Sequence, residues 1–175
     1  MKARTQDEQA MDMDSEVMAL ARTAFQHART GDTASLAELL EVGLPVNLCN
    51  EKGDTLLMLT AYHGYTETTR LLLEHKADPE RLNDRGQTPL AGVAFKGDVH
   101  VARLLLDHGA RVDGAGPDGK TALMFAAMFD RLEVLELLLS RGASPEHEDA
   151  EGRTALDYAR AMGARRTAER LAGQH

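Results

Sequence analysis

The stretch from Arg85 to Val112, RGQTPLAGVAFKGDVHVARLLLDHGARV, decides the fold. Gly86 suits a tight turn, where a side chain would clash. Thr88 is a good helix N-cap, and Pro89 occupies the first helical position, where a missing N–H costs nothing. Leu90, Val93 and Ala94 follow at helical spacing, and Gly97 can end this short helix in a left-handed conformation. Asp98 then starts a second helix with Val101, Leu104 and Leu105 on one face, and Gly109-Ala110 closes it. The next segment, 111–118 (RVDGAGPD), is polar and turn-rich and leads to another glycine. One such helix pair cannot bury its own apolar face, but stacked on copies of itself it can.

The copies are present. Gly53, Gly86, Gly119 and Gly152 stand 33 residues apart, as do Thr55, Thr88, Thr121 and Thr154, and Leu57, Leu90, Leu123 and Leu156. Ala61, Ala94 and Ala127 keep the same interval, and so do the Leu triplets beginning at Leu71, Leu104 and Leu137. Several residue types in one register predict a solenoid of stacked supersecondary units. The units fall at 17–52, 53–85, 86–118, 119–151 and 152–175, with a tail over 1–16. In the first unit, Val17, Leu20, Ala21, Ala24, Phe25 and Ala28 form an amphipathic stripe, with Asp14 or Ser15 as its expected cap. The last unit lacks the Leu triplet, and its second helix carries Arg165, Arg166 and Arg170. Both end units are expected to act as polar caps. The tail is expected to fray, or else to form a short helix over the open side of the first unit.

The pattern Gly-x-Thr-Pro-Leu-x-x-x-Ala, followed by Gly, a Leu triplet and Gly-Ala, resembles the ankyrin repeat from about Val17 to the C-terminus. The chain looks like the small stand-alone ankyrin repeat proteins of bacteria. That resemblance implies an all-α solenoid of five helix-turn-helix units with capping ends, acting as a non-catalytic protein-binding module. The sequence also departs from the pattern. Met58, Ala91, Met124 and Asp157 stand where the family carries a bridging His, so the junctions are expected to lean on apolar packing. Asp130 replaces the helix-ending Gly of the fourth unit, where a side chain strains a left-handed turn.

Carried over by position, first helices and turn tips line a concave groove. Tyr62-His63, Phe95-Lys96 and Met128-Phe129 are expected to face it. The residues before each turn glycine, Leu82 among them, approach the same side. Tyr62, Phe95, Met128 and Phe129 would then form an apolar strip beside a lysine, with Asp54, Gln87 and Lys120 at the tips setting register. The competing reading is that these side chains only cover the helix ends of neighbouring units.

Composition narrows the function classes. A chain of 175 residues with 43% apolar and 27% charged residues is an ordinary single globular domain. The 28 acidic against 20 basic residues give a net charge of −8, a poor match to nucleic acid or an anionic membrane. The N-terminus has no apolar segment of signal-peptide length, and the single thiol, Cys49, fits a reducing compartment; a cytoplasmic monomer is expected. His75 and His108 occupy equivalent places one unit apart, too widely separated to share a metal, and no nucleophile or phosphate-binding motif is present. Neither an enzyme nor a cofactor is expected. Two alternatives remain: a self-associating scaffold, and a groove that binds a metal or small ligand. The acidic fourth unit beside the basic last unit is read as solubility at the ends rather than as a steering field.

Overall fold

A computed structural model describes residues 6–173, with side chains from 15 onward. Ten helices follow one another, and among the described residues the only β pairing is an isolated bridge between Cys49 and Thr55. They form five pairs: α1 (Gln6–Thr30) with α2 (Thr33–Glu41), α3 (Leu56–Tyr62) with α4 (Thr66–Glu74), α5 (Pro89–Lys96) with α6 (Val99–Asp107), α7 (Ala122–Met128) with α8 (Leu132–Ser140), and α9 (Ala155–Met162) with α10 (Arg165–Ala172). The first helices of successive units pack on one another from α1 through α9, and the second helices do the same from α2 through α10. The result is an all-α repeat solenoid of two helical layers.

The repeated residues explain the repeated shape. The hydroxyls of Thr55, Thr88, Thr121 and Thr154 accept from the amides of Met58, Ala91, Met124 and Asp157, capping α3, α5, α7 and α9. Asp157 returns the bond to the Thr154 amide at 2.9 Å, so its departure from the family pattern closes a capping box. Leu57, Leu90 and Leu123 are buried, as are Ala61, Ala94 and Ala127, and Leu72, Leu105 and Leu138. Met58, Ala91 and Met124 are buried too, so these junctions are apolar where a bridging His was missing.

Two side-chain ladders run along the stack. At the tips, Oδ1 of Asn50, Asn83 and Asp149 each accepts two amides of its own turn. Gly116 holds that place in the third unit, where a Cβ would lie 2.0 Å from the Gly86 carbonyl oxygen. On the opposite loops, the amides of Asp78, Arg111 and Ser144 donate to side chains of the preceding unit, Asn47 (2.8 Å), Glu80 (2.9 Å) and Asp113 (3.1 Å).

Three expectations meet a different outcome. First, α1 begins at Gln6, so residues 6–16 of the expected tail are helical and continuous with the first unit. Asp14 and Ser15 lie inside the helix and do not cap it. No glycine or proline interrupts 6–22 to stop a helix there. Residues 1–5 lie outside the described residues.

Second, Asp130 does adopt the left-handed conformation, at φ 54°, but its carboxylate is put to use. Oδ1 accepts the Thr167 amide at 3.0 Å and Oδ2 accepts Arg166 Nε at 2.8 Å. Asp130 thus caps α10, whose own N-cap residue, Ala164, has no side chain able to do so. The space it needs is supplied by the same alanine. A Cβ at Gly31 would lie 2.7 Å from the Tyr65 ring, and one at Gly97 2.7 Å from Arg131 Cδ.

Third, the charge contrast between the last two units is more than solubility. Arg166 pairs with Asp130, and Arg170 Nε reaches Glu136 Oε1 at 2.5 Å, both across the junction.

Candidate functional site

Short first helices all end on one wall of the stack. Their last turns therefore bring residues from different units side by side. Tyr62, at the end of α3, and Phe95, in the last turn of α5, stack with ring centroids 6.3 Å apart and planes at 14°. Phe95 in turn meets Phe129 edge-on, at 4.5 Å and 72°. Met128, at the repeat position of Tyr62 and Phe95, is half-buried and packs on the core, so Phe129 extends the strip in its stead. Lys96 Nζ lies 5.1 Å from the Tyr62 centroid, within cation–π range, and His63 stands edge-on to the same ring at 5.6 Å.

Between the second and third units this wall opens into a cavity of about 330 Å³. Met58, Leu59, Tyr62 and Phe95 form its sides, and Ala91 and Gly92 its floor. Asp54, Asn83, Arg85 and Gln87 surround the mouth, where Asn83 Nδ2 donates to Asp54 Oδ1 at 2.9 Å. Asp54 and Gln87 thus join Tyr62, His63 and Phe95 at one opening. Lys120 belongs to the next tip, where its ammonium meets Asp118 Oδ2 at 3.1 Å. Leu82 is exposed and does not line the cavity.

Gly92 and Arg85 were not singled out in the sequence, although the signal for Gly92 is there. Met58-Leu59 and Met124-Phe125 occupy the repeat positions that Ala91-Gly92 fill in the third unit. The missing bulk of that pair forms the floor.

The titratable groups fasten turns and helix ends. Nδ1–H of His75 donates to the Leu71 carbonyl and that of His108 to the Leu104 carbonyl, both at 2.9 Å. The Cys49 thiol is half-buried and leans on the Asn47 carbonyl oxygen at 3.7 Å. Tyr158 donates to Asp149 at 2.5 Å beneath the last tip. Burial, then the Asp149 carboxylate, raise the Tyr158 phenol well above its ordinary range. Burial pushes the Asp149 carboxyl up, but the Tyr158 hydroxyl and the amides of Arg153 and Glu151 outweigh it and hold the carboxyl below its ordinary value. Among the described residues no three His, Cys, Asp or Glu side chains converge as metal ligands, and no helix is long and apolar enough to cross a membrane.

Residues 24–115 and 111–175 match the family model for ankyrin repeats (3 copies). Over 60 residues the chain is 50% identical to an ankyrin repeat protein of Pseudomonas aeruginosa (strain PAO1). That match covers 34% of this chain and 35% of the relative, so the aligned stretch spans about a third of that protein.

Proposed function

The chain belongs to the ankyrin repeat family, whose stacks generally serve as protein–protein interaction modules, and from that premise we propose that it binds a partner protein through its concave groove and turn tips without catalysis of its own. The observation that carries this reading is the strip Tyr62–Phe95–Phe129, built from three units and flanked by Lys96. Aromatic side chains beside a cation, on a wall fixed by stacked helices, favour recognition over self-covering. Little ordering is required on binding, because the stack sets the wall before the partner arrives.

In this reading the repeat domain spans 17–175, and Tyr62, His63, Phe95, Lys96 and Phe129 make the central contacts. Asp54 and Gln87 set register at the mouth, with Leu82, Met128 and Lys120 at the periphery. The protein works as a cytoplasmic monomer. Tyr62 and Lys96 are both exposed, so Tyr62→Asp with Lys96→Glu leaves the fold intact by circular dichroism. Affinity capture from the source cell should recover a partner with the wild type and lose it with the double variant. Equal recovery by both removes the groove reading.

A second reading, self-association, draws on α1, where Val17, Met18 and Leu20 are exposed on the part of the helix that reaches past its neighbours. Light scattering across a concentration series separates the two, with a constant monomer mass expected.

A further inference from the structure

We propose that the cavity floored by Gly92 is a socket for one bulky apolar side chain on an extended, acidic peptide segment of the partner. The proposal rests on the protein-binding reading above and specifies what that groove selects.

The first argument is the glycine itself. Gly92 sits in the interior of α5, where glycine is a poor helix former. The fold does not demand it. It is absent from the positive-φ residues, and a Cβ at that position would lie 3.6 Å from Tyr62 Cδ2, an ordinary contact. At the equivalent place the neighbouring units carry Leu59 and Phe125. Packing and backbone geometry therefore leave Gly92 unexplained, whereas the open volume above it, walled by Leu59, Tyr62 and Phe95, explains it. The space fits a side chain of the size that its neighbours fill for themselves.

The second argument is local charge. On a protein of net charge −8, two cations flank the cavity, Arg85 at its mouth and Lys96 at the far end of α5. Both are exposed, and neither lies within ion-pair distance of a carboxylate among the described residues. Asp54, the acid at the mouth, is tied to Asn83. α5 runs from Pro89 to Lys96 and spans about 12 Å, with Arg85 in the turn ahead of it, and an extended chain covers that helix length in roughly four residues. In such a chain residues two apart point to the same side. An apolar residue with Asp or Glu two positions before and two positions after it would seat in the socket and meet both cations at once.

The test pans a phage-displayed library of random nine-residue peptides on the full chain, then measures the enriched peptides, fluorescein-labelled, by anisotropy. Enriched peptides should carry Leu, Met or Phe between acidic residues at the stated spacing. Replacing the central residue with Ala should weaken binding at least tenfold. Gly92→Leu should weaken it at least tenfold with no loss of helicity. Gly92→Ala keeps the fold testable should the larger residue disturb it; its Tm should rise by about 2–4 °C while affinity falls. Arg85→Glu with Lys96→Glu should abolish the preference for acidic peptides. The socket is overturned if no peptide is enriched, if the enriched peptides lack this pattern, or if either Gly92 variant binds them as the wild type does. A cellular partner captured equally by wild type and Gly92→Leu, yet lost by Tyr62→Asp with Lys96→Glu, overturns the socket and leaves the groove reading standing.

Discussion

Asp130 and Ala164 illustrate how a repeat tolerates an exception. At the first and third junctions a glycine faces a bulky residue, Gly31 against Tyr65 and Gly97 against Arg131. At the last junction the bulk has moved to the other partner. The two positions behave as one pair with a shared volume, so they should couple energetically. Gly97→Asp alone puts a side chain at φ 85° and drives its Cβ into Arg131. It should cost about 2 kcal/mol, from the left-handed backbone and the overpacking. Adding Arg131→Ala frees the space and leaves the new carboxylate positioned to cap α8, as Asp130 caps α10. A double-mutant cycle in urea should show a favourable coupling of at least about 1 kcal/mol. Strict additivity would mean that the two sites do not share space.

Among the elements, α9 and α10 depend most visibly on carboxylates. Hydrogen bonding to Arg166 holds the Asp130 carboxyl below its ordinary range, and the Thr154 amide does the same for Asp157. Each carboxyl binds a proton more weakly in the folded chain than in the unfolded one. The stability they contribute is therefore complete above the unfolded carboxyl range, near pH 4, and drains away as pH falls through the depressed folded values. The urea midpoint should stay level from pH 7 to about pH 5 and then decline, with the last unit losing helicity first. Asp130→Asn should flatten the decline. An unchanged acid limb in that variant would show that Asp130 contributes nothing through its charge. The elements also show where the sequence was legible. Thr55, Thr88, Thr121 and Thr154 announce four helix starts, because a cap is a local bond between residues three apart. Asp14 and Ser15 are residue types that cap helices, but α1 starts earlier, at Gln6, because nothing in 6–22 ends a helix. The cap that Asp130 gives α10 joins residues 37 apart, and no local pattern announces it. At the groove, the repeat positions located Tyr62 and Phe95. Gly92 escaped notice because its message is a missing side chain, legible only against Leu59 and Phe125.

For the whole molecule, the main helix contacts join elements of the same or adjacent units, so stability is close to a sum of unit and junction terms. The ends have one junction and the middle units have two. Amide hydrogen exchange should therefore be slowest in α5–α8 and quicken towards both termini. Uniform protection from α2 to α10 would instead mean that the stack opens as a single unit. The loop ladder from Asn47, Glu80 and Asp113 to the next unit's amides has a bearing on recombination. Each rung needs only a short polar acceptor on one module and a peptide N–H on the following one, and every non-proline residue supplies the latter. Modules traded with homologous arrays should thus splice cleanly wherever the donor carries Asn, Asp or Glu at that site, whatever its other surface residues, making this position a compatibility key for chimaeras.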